Sequence, residues 1–489
     1  MKLSRYTLYY KDYPKPGEYL VLNTRTQSVI TINQELKNLL DRLTSNQDKQ
    51  YELAAVSTID GNNGGDKPRR YNINNISVTK NFSPPFSPEE QTYLDQLKEL
   101  GIVLDDEVDE TKVLIDWFNR IKYSVPVLTA TVLTTFQCNF ACTYCFEESV
   151  KRQGELMTDE TAEEVIHWLK SQVAKKRPNG LRIIFYGGEP FLNPAPMLQI
   201  GQSLFDWAKE QHPFGTVSEA EPLKFSFGVI TNGSVLNPAL IDRLKLVGLS
   251  SIRVTLDGPP EAHNKNRPLR NGHGSFDLIL KNIKSIAGRV RIDIGGNFDR
   301  NNLGRFPELL DIIEREGLKD KIGTIMVAPI VARLGADNNT IEMTGCTSLV
   351  NDLMEEALKL RQEIIRRGFK VEQGVNITTC PMTRDSASVV IDPKGNIYKC
   401  AAFVGRPDFI VGHVRNEGLN HRAVEFMNLT SPLEEAECRG CVYLPMCGGG
   451  CRFSSQLQHQ DYSRVSCDKA YYEKIMPEIL KMEYERGAL

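Results

Sequence analysis

The 489-residue sequence predicts an α/β fold, in which a partial (β/α)6 barrel lies between a small N-terminal module and a cysteine-rich C-terminal domain. Three observations predict it. Six short apolar segments alternate with segments of helical spacing, a hairpin–helix–loop–helix pattern precedes them, and the eleven cysteines are grouped. Six βα units are too few for a closed eightfold barrel, so we expect a partial barrel or an open sheet.

The composition is that of an ordinary globular protein, with 41% hydrophobic and 25% charged residues. A formal net charge of −3 gives no sign of a nucleic-acid or anionic-membrane partner. No apolar run approaches the roughly 18 residues of a membrane span. The N-terminus has no apolar signal-peptide region, so we expect a cytoplasmic protein that binds no membrane.

Residues 1–110 are predicted to form a separate module. Its elements are a hairpin of Tyr19–Leu22 and Ser28–Ile32, a helix over Gln34–Leu43, a loop from about residue 61 to 88, and a second helix from Ser87 to about Leu100. Acidic residues follow Ser87 in the first turn of that helix, and Gly101 suits its C-terminal cap.

The barrel is predicted over residues 125–335, with parallel strands and right-handed crossovers. The strand candidates are Leu128–Thr135, Leu181–Tyr186, Phe225–Thr231, Ser251–Leu256, Val290–Gly295 and Ile322–Ala328. Ligands in such folds collect at the C-terminal ends of the strands. Residues 336–372 form a predicted helical bridge, and residues 373–489 the cysteine-rich domain, with a hairpin over Ser388–Lys399.

The loop after the first strand carries three cysteines, Cys138, Cys142 and Cys145. Three thiolates in one short loop can hold three irons of a [4Fe–4S] cubane and leave the fourth iron open to another ligand. The alternative is a structural metal knuckle, although zinc sites more often use four ligands.

This CxxxCxxC loop, together with Tyr186-Gly-Gly-Glu-Pro190 after the second strand, resembles the radical S-adenosylmethionine (SAM) superfamily. The resemblance implies that SAM chelates the open iron and is cleaved reductively to a 5′-deoxyadenosyl radical, which abstracts a hydrogen atom. It also implies a reductant partner such as flavodoxin or ferredoxin. The two glycines would let the backbone approach SAM closely, and Glu189 would accept a hydrogen bond from its ammonium group.

Further strand ends fit the same resemblance, namely Ile230–Ser234 and Ser251–Pro259. The expected SAM contacts are Tyr144, Gly187, Gly188, Glu189, Asn232, Ser234, Thr255, Arg267, Asn297 and Ala328. Arg267 would pair with the SAM carboxylate, or else form a surface salt bridge. Tyr144 would lie near adenine, or else simply pack.

The C-terminal cysteines match the spacing of the SPASM domain. That resemblance implies two auxiliary [4Fe–4S] clusters, and so three clusters in all. The distal cluster would be held by Cys438, Cys441, Cys447 and Cys467, and the proximal cluster by Cys380, Cys400 and Cys451. A zinc ribbon on Cys438, Cys441, Cys447 and Cys451 is the alternative.

The proximal cluster needs a fourth partner, and Cys346 is the remaining cysteine. We favour Cys346 as that ligand. A buried free thiol and an open iron that takes a substrate thiolate are the alternatives.

Enzymes with SPASM domains mostly modify peptides, so the expected substrate is a ribosomally made precursor peptide with a leader. The N-terminal module resembles PqqD-type winged-helix modules, which bind leaders by adding them as a strand to a sheet edge. A small packing subdomain is the alternative.

Sulfatase-maturing relatives carry an Asp directly after the second proximal cysteine, whereas Cys400 is followed by Ala401. The leading prediction is therefore a thioether crosslink of ranthipeptide or sactipeptide type. A carbon–carbon crosslink is the second possibility. A non-catalytic iron–sulfur electron carrier or a zinc-binding interaction protein is the alternative of a different class.

Overall fold

The computed structural model describes residues 1–43, 86–145, 147, 154–211, 222–330, 333–334, 341–342, 353–372, 374, 379–385, 387–429 and 431–487. They fall into two compact units. The first unit comprises Met1–Asp116 and Arg439–Met446, and the second Trp117–Cys438 and Cys447–Ala488. Among the described helices, none combines the length and apolarity that crossing a bilayer requires.

The first unit is built on a three-stranded antiparallel sheet of order β2-β3-β4. Its elements are β1 (Lys2–Leu3), β2 (Thr7–Lys11), β3 (Glu18–Asn23), β4 (Ser28–Asn33), α1 (residues 34–43), α2 (Pro88–Glu99) and β5 (Val103–Leu104). The predicted hairpin and both helices are confirmed, and β2 is an additional strand. The predicted loop falls almost wholly outside the described residues.

The second helix of this unit begins and ends where its sequence predicts. The hydroxyl of Ser87 accepts from the N–H of Glu90 at 3.1 Å, and the Glu90 carboxylate accepts from the N–H of Ser87 at 2.7 Å. Gly101 follows the last turn with φ +73°. These caps define the helix whose Leu94 and Leu97 pack into the core of the unit.

Six parallel strands form the centre of the second unit, as predicted. They are β6 (Val127–Thr135), β7 (Gly180–Gly187), β8 (Lys224–Thr231), β9 (Leu249–Thr255), β10 (Arg291–Phe298) and β11 (Ile322–Pro329). Each strand pairs in parallel with the next along the chain.

Short strands complete the set that the structure describes. They are β12 (Arg333–Leu334), β13 (Ile341–Glu342), β14 (Ser388–Ile391), β15 (Asn396–Tyr398) and β16 (Gly412–His413). The predicted hairpin is β14–β15 and is confirmed. Its place was not predicted: β14 pairs in parallel with β6, so the described sheet has nine strands.

The remaining described helices flank this sheet or follow it in the chain. They are α3 (Glu110–Tyr123), α4 (Asp159–Lys176), α5 (Ala195–Lys209), α6 (Pro238–Leu246), α7 (Pro260–Asn266), α8 (Phe276–Ile286), α9 (Phe306–Arg315), α10 (Met354–Arg366), α11 (His421–Met427), α12 (Ala436–Arg439), α13 (Leu444–Cys447), α14 (Arg452–His459) and α15 (Lys469–Glu485). One continuous core includes Leu128 in the barrel and Phe426 in the cysteine-rich region.

Candidate active site

A cavity of about 850 Å³ lies in the second unit and opens where the parallel strands end. Most of the residues expected at the SAM site line it: Cys138, Cys142, Tyr144, Cys145, Gly187, Gly188, Asn232, Thr255, Arg267, Asn297 and Ala328. Glu189 and Ser234 do not line the cavity and lie behind its wall. The strand ends therefore bring together side chains that are far apart in the sequence.

The cysteine loop 138–145 is held against the segment that follows α7. The N–H of Ala141 donates to the carbonyl of Pro268 at 2.9 Å, and Nε of Arg270 donates to the carbonyl of Cys138 at 2.6 Å. These bonds fix the backbone of the loop whose three cysteines line the cavity.

The two glycines of the Gly-Gly-Glu-Pro turn are required by the protein's own backbone. A Cβ atom on Gly187 would lie 2.3 Å from the carbonyl oxygen of Thr135, and one on Gly188 would lie 2.2 Å from that of Gln137. Gly187 also has φ +131°. The sequence predicts that these glycines let the backbone approach SAM, whereas the close approach seen in the structure is to the end of β6 and the start of the cysteine loop.

Glu189 is 0% exposed and ties the second strand end to the third. Its carboxylate accepts from the hydroxyl of Thr231 and the N–H of Asn232, both at 2.7 Å, and from the N–H of Phe191 at 3.1 Å. Burial raises the pKa of Glu189 to about 7, although these three donors favour the charged form. In the structure Glu189 therefore supports the cavity wall, and a contact with SAM stays a prediction.

Asn232 and Ser234 connect the third strand end to the cysteine loop. Nδ2 of Asn232 donates to Asn139 at 2.8 Å and lies 3.9 Å from the sulfur of Cys138. Nδ2 of Asn139 in turn donates to the hydroxyl of Ser234 at 2.8 Å. Because Ser234 is buried in this network, its role in the structure is to orient Asn139 and Asn232.

Tyr144 is a hydrogen-bond centre at the cavity wall. Its hydroxyl lies 2.5 Å from Oδ2 of Asp257 and accepts from Nη1 of Arg267 at 2.7 Å and from Nδ2 of Asn297 at 3.1 Å. Arg267 is only 8% exposed, which excludes the surface salt bridge considered above. Tyr144 likewise does more than pack, since its hydroxyl hydrogen-bonds to Asp257, Arg267 and Asn297.

Charge at this centre is balanced within the site. Burial opposes the charge of Arg267, but Tyr144, Cys142 and Asp257 raise its pKa well above the ordinary value. Burial holds the pKa of His263 well below its ordinary value, so its ring is neutral. Nδ1 of His263 accepts from the N–H of Asp257 at 3.1 Å, which fixes the loop that presents Asp257.

The buried donors that have no hydrogen-bond partner among the described residues include Nε of Arg267, in the cavity wall, and Nδ2 of the adjacent Asn266. Buried donors are rarely left unsatisfied in folded proteins. Together with three thiols that line one cavity, they fit a cluster whose open iron carries a ligand rich in acceptors. Among the described residues, no group of three or more Cys, His, Asp or Glu side chains is placed closely enough to hold a single metal ion.

The C-terminal cysteines divide into two sets in the second unit. Burial raises the pKa of Cys400 to about 12, and the charges of Cys380 and Cys451 act on it in the same direction. Burial likewise raises the pKa of Cys447 to about 11, with Cys438 as a charged neighbour. Cys380, Cys400 and Cys451 are thus charge neighbours in the structure, and their role as ligands of one cluster stays a prediction.

For the three remaining cysteines outside the barrel loop, the structure gives less information. Cys467 is exposed in the second unit. Cys441 belongs to the first unit, where its charge acts on Tyr6. Cys346 lies outside the described residues.

One wall of the cavity was not predicted from the sequence. It consists of side chains from α10 and α15 and from the segment between β14 and α15: Met354, Leu358, Arg361, Ala401, Tyr471, Ile475 and Ile479. The spacing of residues 471, 475 and 479 marks one face of a helix, which was the available signal. The sequence does not show what this helix face packs against, because the other walls of the cavity come from barrel strands that are distant in the sequence.

Comparison with known proteins agrees with the parallel strands and the three-cysteine loop. Residues 132–313 match the radical SAM superfamily model, so the chain contains a radical SAM domain. The predicted radical SAM domain and the prediction of an enzyme are thereby confirmed, while the thioether-forming type stays a prediction.

The mycofactocin maturase MftC of Mycobacterium tuberculosis is 24% identical over 358 residues, 69% of this chain and 81% of that protein. A cysteine-type anaerobic sulfatase-maturating enzyme of Clostridium novyi is 22% identical, over 69% of this chain and 92% of that protein. Among solved structures, Streptococcus suis SuiB bound to precursor peptide SuiA is 13% identical with a TM-score of 0.51, covering 96% of this chain and 99% of that one. SuiB shares the fold.

Proposed function

We propose that this enzyme forms a thioether crosslink in a ribosomally made precursor peptide, joining a cysteine sulfur to a carbon of another residue. One observation carries the proposal. The thiols of Cys138, Cys142 and Cys145 face the same cavity as Ala401, the residue after Cys400. A peptide segment in this cavity would lie near both groups of cysteines.

The chain's own residues have separable tasks in this proposal. Cys138, Cys142 and Cys145 would ligate three irons of a [4Fe–4S] cluster, and Arg267 would hold the carboxylate of SAM with its unpaired Nε. When bound, these groups supply a carbon-centred radical that abstracts a hydrogen atom from the peptide. Apolar side chains such as Ile475 and Ile479 would keep water out of the cavity.

The clusters held by the C-terminal cysteines would accept the electron that the reaction releases. In this proposal Cys380, Cys400 and Cys451 hold the proximal auxiliary cluster, and Cys438, Cys441, Cys447 and Cys467 the distal one. Formation of the C–S bond from the carbon radical and the cysteine thiol breaks the S–H bond and releases one proton and one electron, and the electron would pass toward these ligands. The fourth proximal ligand stays a prediction, with Cys346 as the candidate.

Ala401 favours the thioether over formylglycine formation. The sulfatase-maturating relative matches 69% of this chain, but an Asp is expected after the second proximal cysteine in such enzymes. Here that position is Ala401, which lines the cavity with a methyl group and offers no carboxylate to take a proton.

The reaction is tested anaerobically with SAM, a reductant and synthetic peptides translated from any short, cysteine-containing open reading frames that flank the gene. We expect a product lighter by two hydrogen atoms in which one cysteine no longer reacts with iodoacetamide. A product of that mass with every thiol still reactive would contradict the thioether and favour a carbon–carbon bond.

Replacement of Cys138, Cys142 and Cys145 by Ala is the matched control. It should abolish SAM cleavage yet retain roughly two-thirds of the iron, because the other two clusters have separate ligands. Iron near zero, or SAM cleavage that persists, would contradict this ligand assignment.

The first unit would bind the leader of the precursor. Its three-stranded sheet has β4 at one edge among the described residues, with Ile30 paired to Val21 on the inner side. An edge strand offers unpaired N–H and C=O groups that an extended peptide can use. This arrangement supports leader binding along β4.

Proline substitutions along β4 test this proposal. Every second residue of an edge strand directs its N–H outward, and proline at such a position removes one donor without breaking the inner ladder. We expect one of the pair Ile30→Pro and Thr31→Pro to lose affinity for a labelled leader, measured by fluorescence anisotropy, while keeping its melting temperature. Undiminished affinity in both variants would place the leader elsewhere.

A further inference from the structure

Arg253 brings a positive charge into the cavity, with a side chain that is 36% exposed. It lies on β9 two residues before Thr255, and both side chains line the cavity because alternate residues share one face of a strand. Ile184 and Ile325 line the cavity from neighbouring parts of the barrel. None of the tasks assigned above to SAM or to the clusters uses Arg253.

The neighbouring strand leaves room for this side chain. A Cβ atom on Gly295, in β10, would lie 3.4 Å from Cγ and 3.3 Å from Cδ of Arg253. Asp293 stands opposite Arg253 in the strand register, but its Oδ1 accepts from the N–H and the hydroxyl of Thr324, each at 2.8 Å. The carboxylate of Asp293 therefore already has hydrogen-bond donors other than Arg253.

The charge of Arg253 is poorly balanced by the described residues. Its ion partner there is Glu372, at 3.7 Å and with a side chain 61% exposed, a geometry of little energetic value. Nε of Arg253 is buried and has no hydrogen-bond partner among the described residues. A buried guanidinium nitrogen without an acceptor is unfavourable until something supplies one.

The second arginine of this wall differs in its charge balance, although its buried Nε also has no hydrogen-bond partner among the described residues. Nη2 of Arg361 donates to the carboxylate of Glu483 at 2.5 Å and to the carbonyl of Glu372 at 2.6 Å. Glu483 is fully buried and so pairs closely with Arg361. Arg361 therefore has a close, buried carboxylate partner, whereas Arg253 has only the distant, exposed carboxylate of Glu372 and is the better candidate to bind an anionic ligand.

We propose that Arg253 binds a carboxylate of the substrate peptide and thereby positions the peptide in the cavity. The inference rests on the proposed function, since it requires that the substrate is a peptide. A guanidinium presents parallel N–H donors that match both oxygens of a carboxylate, and Nε is one of them. The carboxylate belongs to an Asp or Glu side chain or to the C-terminus of the peptide.

The test crosses enzyme variants with peptide variants. The probe is the precursor peptide that the wild-type enzyme modifies in the anaerobic assay above. It is used in its natural form, with each acidic residue outside the leader changed singly to its amide, and with an amidated C-terminus. For one member of this series we expect kcat/KM of the wild-type enzyme to fall by about 10- to 100-fold, the range of a hydrogen bond to a charged group. The member affected identifies the source of the carboxylate.

In Arg253→Gln the same peptide change should have little effect, because the contact is already lost. Arg289→Gln, which removes an exposed ion pair with Asp242, is the matched control and should behave as wild type. Uncoupled SAM cleavage should be equal in all three proteins.

Three results overturn the proposal: a wild-type enzyme indifferent to every carboxylate, a dependence that persists unchanged in Arg253→Gln, or a folded Arg253→Gln protein that modifies no peptide or cleaves SAM poorly. If Arg253→Gln does not fold, the wild-type series with Arg253→Lys replaces it and should show a weaker dependence. Failure of the proposed function is a separate result, since the wild-type enzyme would then modify no peptide of the series.

Discussion

Glu189 shows how one side chain can bear on the whole site without touching the cavity. Its carboxyl group is enclosed by β7 and β8 and accepts bonds from both strand ends. Ordinary glutamates are charged above pH 4.5, whereas burial raises the pKa of Glu189 to about 7. The folded protein therefore holds a proton here that the unfolded chain releases between these two pH values.

That difference predicts how stability depends on pH. A raised folded-state pKa contributes stability below about pH 4.5, and this contribution is lost as the pH rises through about 7. Gln at position 189 has the same shape and does not titrate. We therefore expect the melting temperature of wild type to fall relative to that of Glu189→Gln between pH 5 and pH 8.

Thermal unfolding of the two proteins under anaerobic conditions measures this difference. All other titrating groups, including buried Asp257, are common to both proteins and cancel in the comparison. A gap that stays constant, or that widens in favour of wild type with rising pH, would mean that Glu189 is charged in the fold.

At the scale of elements, the strand ends are packed so closely that small residues become obligatory. Gly188 meets the carbonyl of Gln137, just before Cys138, so the end of β7 and the cysteine loop can approach only without a side chain. The Gly-Gly-Glu-Pro turn and the cysteine loop therefore pack directly against each other, backbone to backbone.

Gly188→Ala should separate these two loops. A Cβ atom 2.2 Å from a backbone oxygen cannot be relieved by rotating a side chain, so we expect a loss of at least about 1–3 kcal/mol in stability and a lower iron content. Gly304→Ala is the matched control, because nothing lies within 4 Å of a Cβ atom there. Iron analysis and chemical unfolding of both variants provide the measurement, and equal values in the two would contradict the steric argument.

At the scale of the whole molecule, the barrel and the C-terminal region of the second unit share one sheet and one core. β14 covers the edge of β6 from Thr129 to Val132, and Val389 and Ile391 are fully buried there. α15 contributes Ile475 and Ile479 to the cavity wall. Removal of this region would expose a sheet edge and a large apolar surface.

We therefore expect residues 117–372, expressed alone, to aggregate or to bind the dye ANS, in contrast to the full chain. Solubility, dye fluorescence and a thermal melt measure this directly. A soluble fragment with a cooperative melt would show that the barrel does not need β14 and α15.

Much of the fold and of the site was predictable because it is written in local patterns. The six strands follow from apolar runs bounded by turn residues, and the helix after Ser87 follows from its capping box. Cys138, Cys142 and Cys145 lie within one short loop, so their spacing alone indicated shared chemistry. A metal-binding loop is a local feature, and sequence determines local features directly.

Other properties depend on contacts between distant residues, and only the tertiary structure decided them. Glu189 faces Thr231 and Asn232 instead of the cavity, and β14 adds to β6 across more than 250 residues. Arg253 looks like any strand arginine in the sequence. Its unpaired Nε results from what packs beside it. Hydrogen bonding, burial and charge balance are sums over neighbours in space, and no local pattern of residues encodes those neighbours.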